Sequence, residues 1–207
     1  PGLEQYISDI GKIKNYLKNG DVYQINYTQP IHYITSNDSF SLFSKLIKLS
    51  KPEFGYYINT NYGAVISLSP ERLLYKKGNN ISSFPIKGTR PRSKDSNQDL
   101  LYKNELISSS KDRAEHLMIV DLVRNDLSKY ASKASVKIEE LFGVYSFAQV
   151  HQMISTISAE LESDCNFVDA IKGAFPMGSM TGAPKRKAME LIEKFEATKR
   201  GLFSGSV

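Results

Sequence analysis

The sequence predicts an α+β fold with mostly antiparallel sheets. Stretches with apolar residues three and four apart alternate with short runs rich in Tyr, Ile and Val. The short runs come in groups joined by tight Gly- and Asn-containing turns, which favour hairpins over crossover connections. The 207 residues are 41% hydrophobic and include 12 Tyr and 10 Phe, enough bulky material for one sizeable core. Residues 1–207 are therefore read as a single domain.

The first element is a helix over Leu3 to Lys18, where Ile7, Ile10, Ile13 (or Lys14) and Leu17 recur at helical spacing and Asn19-Gly20 supplies the stop. Val22 to Tyr33 alternates and reads as a strand. A second helix, Ser39 to Leu49, is capped by Asn37, Asp38 or Ser39 and closed by Lys51-Pro52. Three strands follow, Phe54 to Asn59, Ala64 to Leu68 and Leu73 to Lys76, parted by turns at Asn61-Tyr62-Gly63 and Lys77-Gly78-Asn79. Ile81 to Ile86 is one more strand, leading into a loop from Lys87 to Lys94 and an exposed connection to Gln98. A long helical region, Asp99 to Ser128, is expected to break near Ser108. Strands over Val136 to Val144 and Val150 to Leu161, a short helix at Asp169 to Phe175, a Gly/Pro-punctuated loop at Pro176 to Pro184 and a helix at Lys185 to Glu196 complete the order. The final Leu202 to Val207 begins a turn and strand and stops there, which suggests a chain whose remainder is not represented.

Composition excludes several classes. Cys165 stands alone and cannot form an internal disulfide, so a reducing cytoplasm is the expected setting. No apolar run approaches the roughly 20 residues that span a bilayer, and no signal-peptide core opens the chain, so no membrane role is expected. Lys and Arg total 27 against 22 Asp and Glu, a net +5, but the basic residues lie in short clusters rather than a stripe. A small anion fits that balance better than nucleic acid.

Four segments and one histidine carry candidate chemistry. In Phe84 to Arg92 a strand ends at Ile86, Gly88 lets backbone approach a ligand, and Lys87, Arg90 and Arg92 lie within six residues. Lys87 is a nucleophile if burial and the neighbouring Arg charges lower its pKa, or else a solvated lysine on a basic loop. In Ser67 to Arg72, Glu71 sits at a Pro-made corner: a general acid if the meander brings it to Lys87, an exposed turn residue if not. Lys111 to Leu127 is apolar in nearly every direction, predicting a largely buried helix, yet it holds Asp112, Glu115, Asp121, Arg124 and Asp126. Asp112 and Glu115 share a face and suit Mg²⁺ or a salt bridge equally, whereas Asp121 and Arg124 suit a structural ion pair. In Pro176 to Lys185, Thr181 is placed to cap the following helix, whose free N–H groups offer an anion site or merely an ordinary capped start. His151 lies on an apolar strand, where a satisfied core histidine is the default.

In order along the chain, Gly20 to Asn26, Ser69 to Arg72, Pro85 to Arg92, Asp112 to Leu127 and Gly178 to Lys187 resemble the chorismate-utilising enzymes, a family that includes anthranilate, aminodeoxychorismate, isochorismate and salicylate synthases. The resemblance implies two packed antiparallel sheets flanked by helices, incomplete here at the C-terminus. It points to the aminodeoxychorismate branch, which serves p-aminobenzoate and folate synthesis, because Lys87 stands where anthranilate synthases usually have Ala and Gln24 where water-using members place a lysine base. It implies Lys87 attacking the ring covalently, Glu71 as general acid for loss of the C4 hydroxyl, and Glu115 binding Mg²⁺ with Asp112 supporting through water. It further implies that Gly88, Thr89, Thr181 and His151 line the substrate and that a glutaminase subunit supplies ammonia. A second metal-binding glutamate and a substrate-gripping arginine would follow Val207, and another segment would precede Pro1, so these 207 residues alone are expected to be inactive.

Overall fold

The computed structural model describes residues 2–203. Helix α1 (Leu3–Lys18) buries Ile13 and Asp9, and the Asp9 carboxylate accepts from Gln5 Nε2 at 2.7 Å and Tyr27 Oη at 3.1 Å. Strand β1 is only Gln24–Ile25; the rest of the expected strand to Tyr33 pairs with no other strand, leaving Ile31, Tyr33 and Ile34 exposed. A strand needs a neighbour, and alternation alone does not supply one. Helix α2 (Ser39–Ser50) starts on Asp38, whose side chain accepts from the Ser41 N–H, and ends on Lys51 in the left-handed region. Strands β2 (Phe54–Thr60) and β3 (Gly63–Ser69) form a hairpin of their own.

The main sheet is antiparallel and five-stranded, built on a central strand. It contains β4 (Tyr75–Lys77), β5 (Asn80–Ser83), β6 (Ile86–Pro91), β7 (Lys137–Ser146) and β8 (Val150–Glu160). β8 pairs with β7 along one edge, and with β6 and then β5 end to end along the other. Thus the stretch expected as a loop after Ile86 is strand, and the expected Ile81–Ile86 strand is two, interrupted at Phe84-Pro85. Residues 151, 153, 155, 157 and 159 of β8 are buried while their alternates are half-exposed, the period of a strand covered on one face.

The cover is helix α4 (Ser110–Ser128), preceded by α3 (Ser96–Ser108). The expected break falls at Ser109, whose hydroxyl caps α4 at the Asp112 N–H. Contrary to the expected all-round burial, α4 buries one face only, with Ile119, Val120 and Leu127 inside and Leu117 exposed. Val120 and Leu127 join Ile81, Ala131, Ile157, Ala159, Leu161 and Ala170 in the larger core. Asp121 and Arg124 make the expected ion pair at 3.0 Å.

Helix α5 (Phe167–Ala174) opens with an Asn166/Asp169 capping box. A 3₁₀ turn (Gly178–Met180), strand β9 (Gly182–Ala183) and helix α6 (Lys185–Phe195) follow. β9 pairs antiparallel with β1, and Val22, Ala188 and Leu191 form a second core between α1 and α6. Of the expected terminal turn and strand, Ser204–Val207 lie outside the described residues.

Candidate active site

Glu71 follows β3 across Pro70, and the Ser69 hydroxyl fastens that corner, donating to the Glu71 carbonyl at 3.0 Å and accepting its N–H at 3.3 Å. The neighbouring Arg72 guanidinium stacks 4.6 Å from the Phe54 ring, 5.0 Å from Tyr75 and 5.7 Å from Phe84. So pinned, Glu71 turns its carboxyl to the start of β6, where Oε1 accepts the Ile86 N–H at 3.4 Å. Burial pushes its pKa up to about 7; the Ser179 hydroxyl, the Ile86 N–H and the Lys87 charge oppose that rise.

Lys87 lies in a β-bulge. The β6–β8 register shifts between Ile86 and Thr89, and Gly88 adopts φ +87°. A Cβ on Gly88 would lie 2.9 Å from Leu106 and 3.2 Å from Asp112, so the bulge needs glycine for space as well as for φ. The bulge frees Lys87 from the sheet, and its Nζ donates to the Ser179 carbonyl at 3.2 Å. Burial lowers the Lys87 pKa, while the Glu71 and Glu115 charges raise it. Burial thus acts as the sequence predicts, whereas the neighbouring arginines expected to add to it are committed elsewhere: Arg90 to Asp112 at 2.9 Å, Arg92 to Asp99 at 2.8 Å. Glu71 and Lys87 each feel the other's charge, so the structure brings this pair together.

Of the two carboxylates offered for a metal, Glu115 also acts on Lys87 and, among the described residues, is engaged by Lys111 alone at 4.0 Å, with 41% of its side chain exposed. Asp112 is held by Arg90 and belongs to the frame behind Gly88. On the same helix His116 is fully buried: Nε2 meets Ser155 Oγ at 2.7 Å, and burial lowers its pKa to about 4.

The hydrogen bonds of His151 go to residues outside this cluster. It is 1% exposed, with Nδ1 on Ser146 Oγ at 2.9 Å and Nε2 on Asp99 at 3.0 Å. It pairs across the sheet with Arg90, whereas Thr89 pairs with Gln152. Adjacent residues point to opposite faces, so His151 points away from the face that Thr89 shares with Gln152. Thr181 is not the cap of α6 either. Pro184 holds that position without a side-chain bond, and the Thr181 hydroxyl donates to the Met177 carbonyl at 3.0 Å. The start of α6 is tied down instead by Lys185, whose Nζ donates to Asp126 and, at 2.9 Å, to the Ala174 carbonyl.

Two residues of this neighbourhood carried no signal of their own in the sequence reading. Ser179 is 3% exposed and its carbonyl receives both Lys87 Nζ and, at 2.5 Å, Asn26 Nδ2. Asn26 also donates its backbone N–H to Thr181 at 2.8 Å, so β1 holds the 3₁₀ turn from behind. Both lie in the matching motifs, but their partners are 153 and 92 positions apart, beyond any spacing argument.

Residues 1–207 match the family model described as "chorismate binding enzyme". Aminodeoxychorismate synthase component 1 of Escherichia coli (strain K12) is 42% identical over 204 residues, covering 99% of this chain and 45% of that protein. Anthranilate synthase component 1 of Bacillus subtilis (strain 168) is 36% identical over 202 residues, covering 98% and 39%. Among solved structures, anthranilate synthase component I from Streptococcus pneumoniae TIGR4 superposes with a TM-score of 0.89 at 26% identity, over 99% of this chain and 45% of that one. The chain thus spans under half the length of these relatives, in their mixed fold of helices and antiparallel sheets. It belongs to the chorismate-binding enzymes.

Proposed function

We propose that this chain carries the nucleophile and general acid of an aminodeoxychorismate synthase, converting chorismate and ammonia to 4-amino-4-deoxychorismate and water. The observation that supports it is a partly buried lysine amine and a partly buried carboxyl that both approach Ser179, each with its pKa displaced toward the neutral form. A neutral amine can attack, and a protonated carboxyl can donate. In the first step Lys87 Nζ bonds to the ring, the C4–O bond breaks, and Glu71 gives its proton so that hydroxyl leaves as water. In the second, ammonia forms the new C–N bond as the Lys87 bond breaks, Lys87 recovers its amine, and a proton of the new ammonium returns to Glu71. Burial that keeps Glu71 protonated near neutral pH is what the first step requires.

Chorismate carries two carboxylates, and Mg²⁺ would offset one of them. Glu115, half-exposed and loosely engaged, fits as a ligand; Asp112, held by Arg90, fits only as a support. Gly88, Thr89 and Thr181 remain proposed substrate neighbours, and His151 a support of the sheet that carries them. Ammonia is scarce at neutral pH, so a glutaminase partner is part of the proposal, as are folate synthesis and a cytoplasmic setting. Among the described residues no helix is long and apolar enough to cross a membrane.

The test is product analysis of the protein as the cell makes it, supplied with chorismate, an ammonium salt and Mg²⁺. We expect 4-amino-4-deoxychorismate, with K87A slower by about 10³-fold or more. Fluorescent anthranilate as the product would assign the chain to that branch instead.

A further inference from the structure

Ser179 touches both reacting groups. Its carbonyl accepts from Lys87 Nζ at 3.2 Å, while its hydroxyl is buried, makes no hydrogen bond of ordinary geometry among the described residues although it lies close enough to Glu71 to lower its pKa, and lines with Glu71 a cavity of about 10 Å³. An unpaired buried hydroxyl is costly, so one kept beside an ionisable carboxyl calls for an explanation.

We infer that Ser179 is a positioning residue for the acid and the nucleophile together: its carbonyl aims the Lys87 amine, and its hydroxyl receives the Glu71 carboxylate once that group has given up its proton. This rests on the roles proposed above for Glu71 and Lys87. A serine hydroxyl can accept from a protonated carboxyl and donate to an ionised one, so a single side chain can serve both states. Ionising a carboxylate in a buried site is costly, and one added donor lowers that cost. The direction of the Ser179 contribution to the Glu71 pKa, downward, agrees.

Other groups around Glu71 do not duplicate this. From β6 come the Ile86 N–H and the Lys87 charge. From β5 Ser83 lines the same cavity, with its hydroxyl donated to the Leu73 carbonyl at 2.7 Å. From α4 Asp126 lines it too, held by Lys129 at 3.0 Å and by Lys185. Glu115 reaches the pair only through Lys87. Ser179 alone among these has a hydroxyl not already committed.

The experiment is a carbon-13 NMR titration of the Glu71 side-chain carboxyl in protein labelled at glutamate, assigned by its loss in E71Q. It compares wild type with S179A and with S179C, a poorer donor of similar size. We expect the Glu71 midpoint to rise by about half a pH unit or more in S179A, with S179C between. The alkaline limb of the kcat profile should move the same way while KM changes less than kcat. An unmoved Glu71 midpoint in both variants overturns the inference, whatever happens to activity. If the titration moves but wild type makes no 4-amino-4-deoxychorismate, the proposed reaction falls, and what stands is that the Ser179 hydroxyl receives the Glu71 carboxylate.

Discussion

At the scale of single residues, the site works by keeping two ionisable groups short of their charged forms. Glu71 illustrates the consequence for stability. Its folded pKa, about 7, lies above the ordinary value of 4.5, so between those pH values the folded chain binds more protons than the unfolded one. Stability therefore falls as pH rises through that window, by up to about 3 kcal/mol from this group. E71Q carries no such burden. We predict that urea denaturation finds E71Q gaining on wild type by roughly 2 kcal/mol or more between pH 4.5 and 8, while activity at pH 7 is lost. A parallel pair of stability curves would show that Glu71 is not buried as described. The identity of this residue was legible from Ser69-Pro70-Glu71-Arg72, but its burial was not, because the residues that enclose it, Asp126, Leu127 and Ser179 among them, lie far away in sequence. His151 shows the converse: the residue-level reading as a satisfied core histidine agrees with its bonds to Asp99 and Ser146.

At the scale of elements, the bulge in β6 and the anchoring of α6 decide where the chemistry sits. Asp126 on α4 receives Lys185 at the start of α6 and Lys129 on its own flank, and it is itself 5% exposed. In D126N, Lys185 keeps its charge without a carboxylate partner, and we predict a loss of about 3 kcal/mol in urea denaturation. The 3₁₀ turn carrying Ser179 should loosen with it, so kcat falls as well. A destabilisation below about 0.5 kcal/mol would mean the pair is solvated. Helix periodicity in α1 and α6, a cap for α2 among Asn37, Asp38 and Ser39, and a break near Ser108 were all readable, because each depends on residues within a few positions of one another. The strand through Tyr33 and the loop after Ile86 were misjudged because strand formation depends on a partner. β6 has one in β8, whereas the stretch after Ile25 is left unpaired.

At the scale of the whole molecule, the candidate site collects residues from both ends of the chain. Asn26 holds the turn at Ser179, Lys87 reaches the same turn from the sheet, and Glu115 faces Lys87 from the covering helix. Five ordered motifs in the sequence were enough to suggest this chemistry. Their assembly rests on contacts far apart in sequence, which is why spacing alone left each motif open between functional and ordinary roles. The central claim is that a neutral Lys87 amine bonds to the chorismate ring with Glu71 as acid. Peptide mass spectrometry of the protein as the cell makes it, mixed with chorismate and Mg²⁺ without ammonia, tests it most directly. An added mass of chorismate less one water is expected on the peptide holding Lys87, discharged when ammonia is supplied and absent in E71Q. Turnover that proceeds with no adduct on Lys87, and that survives in K87A, would contradict it.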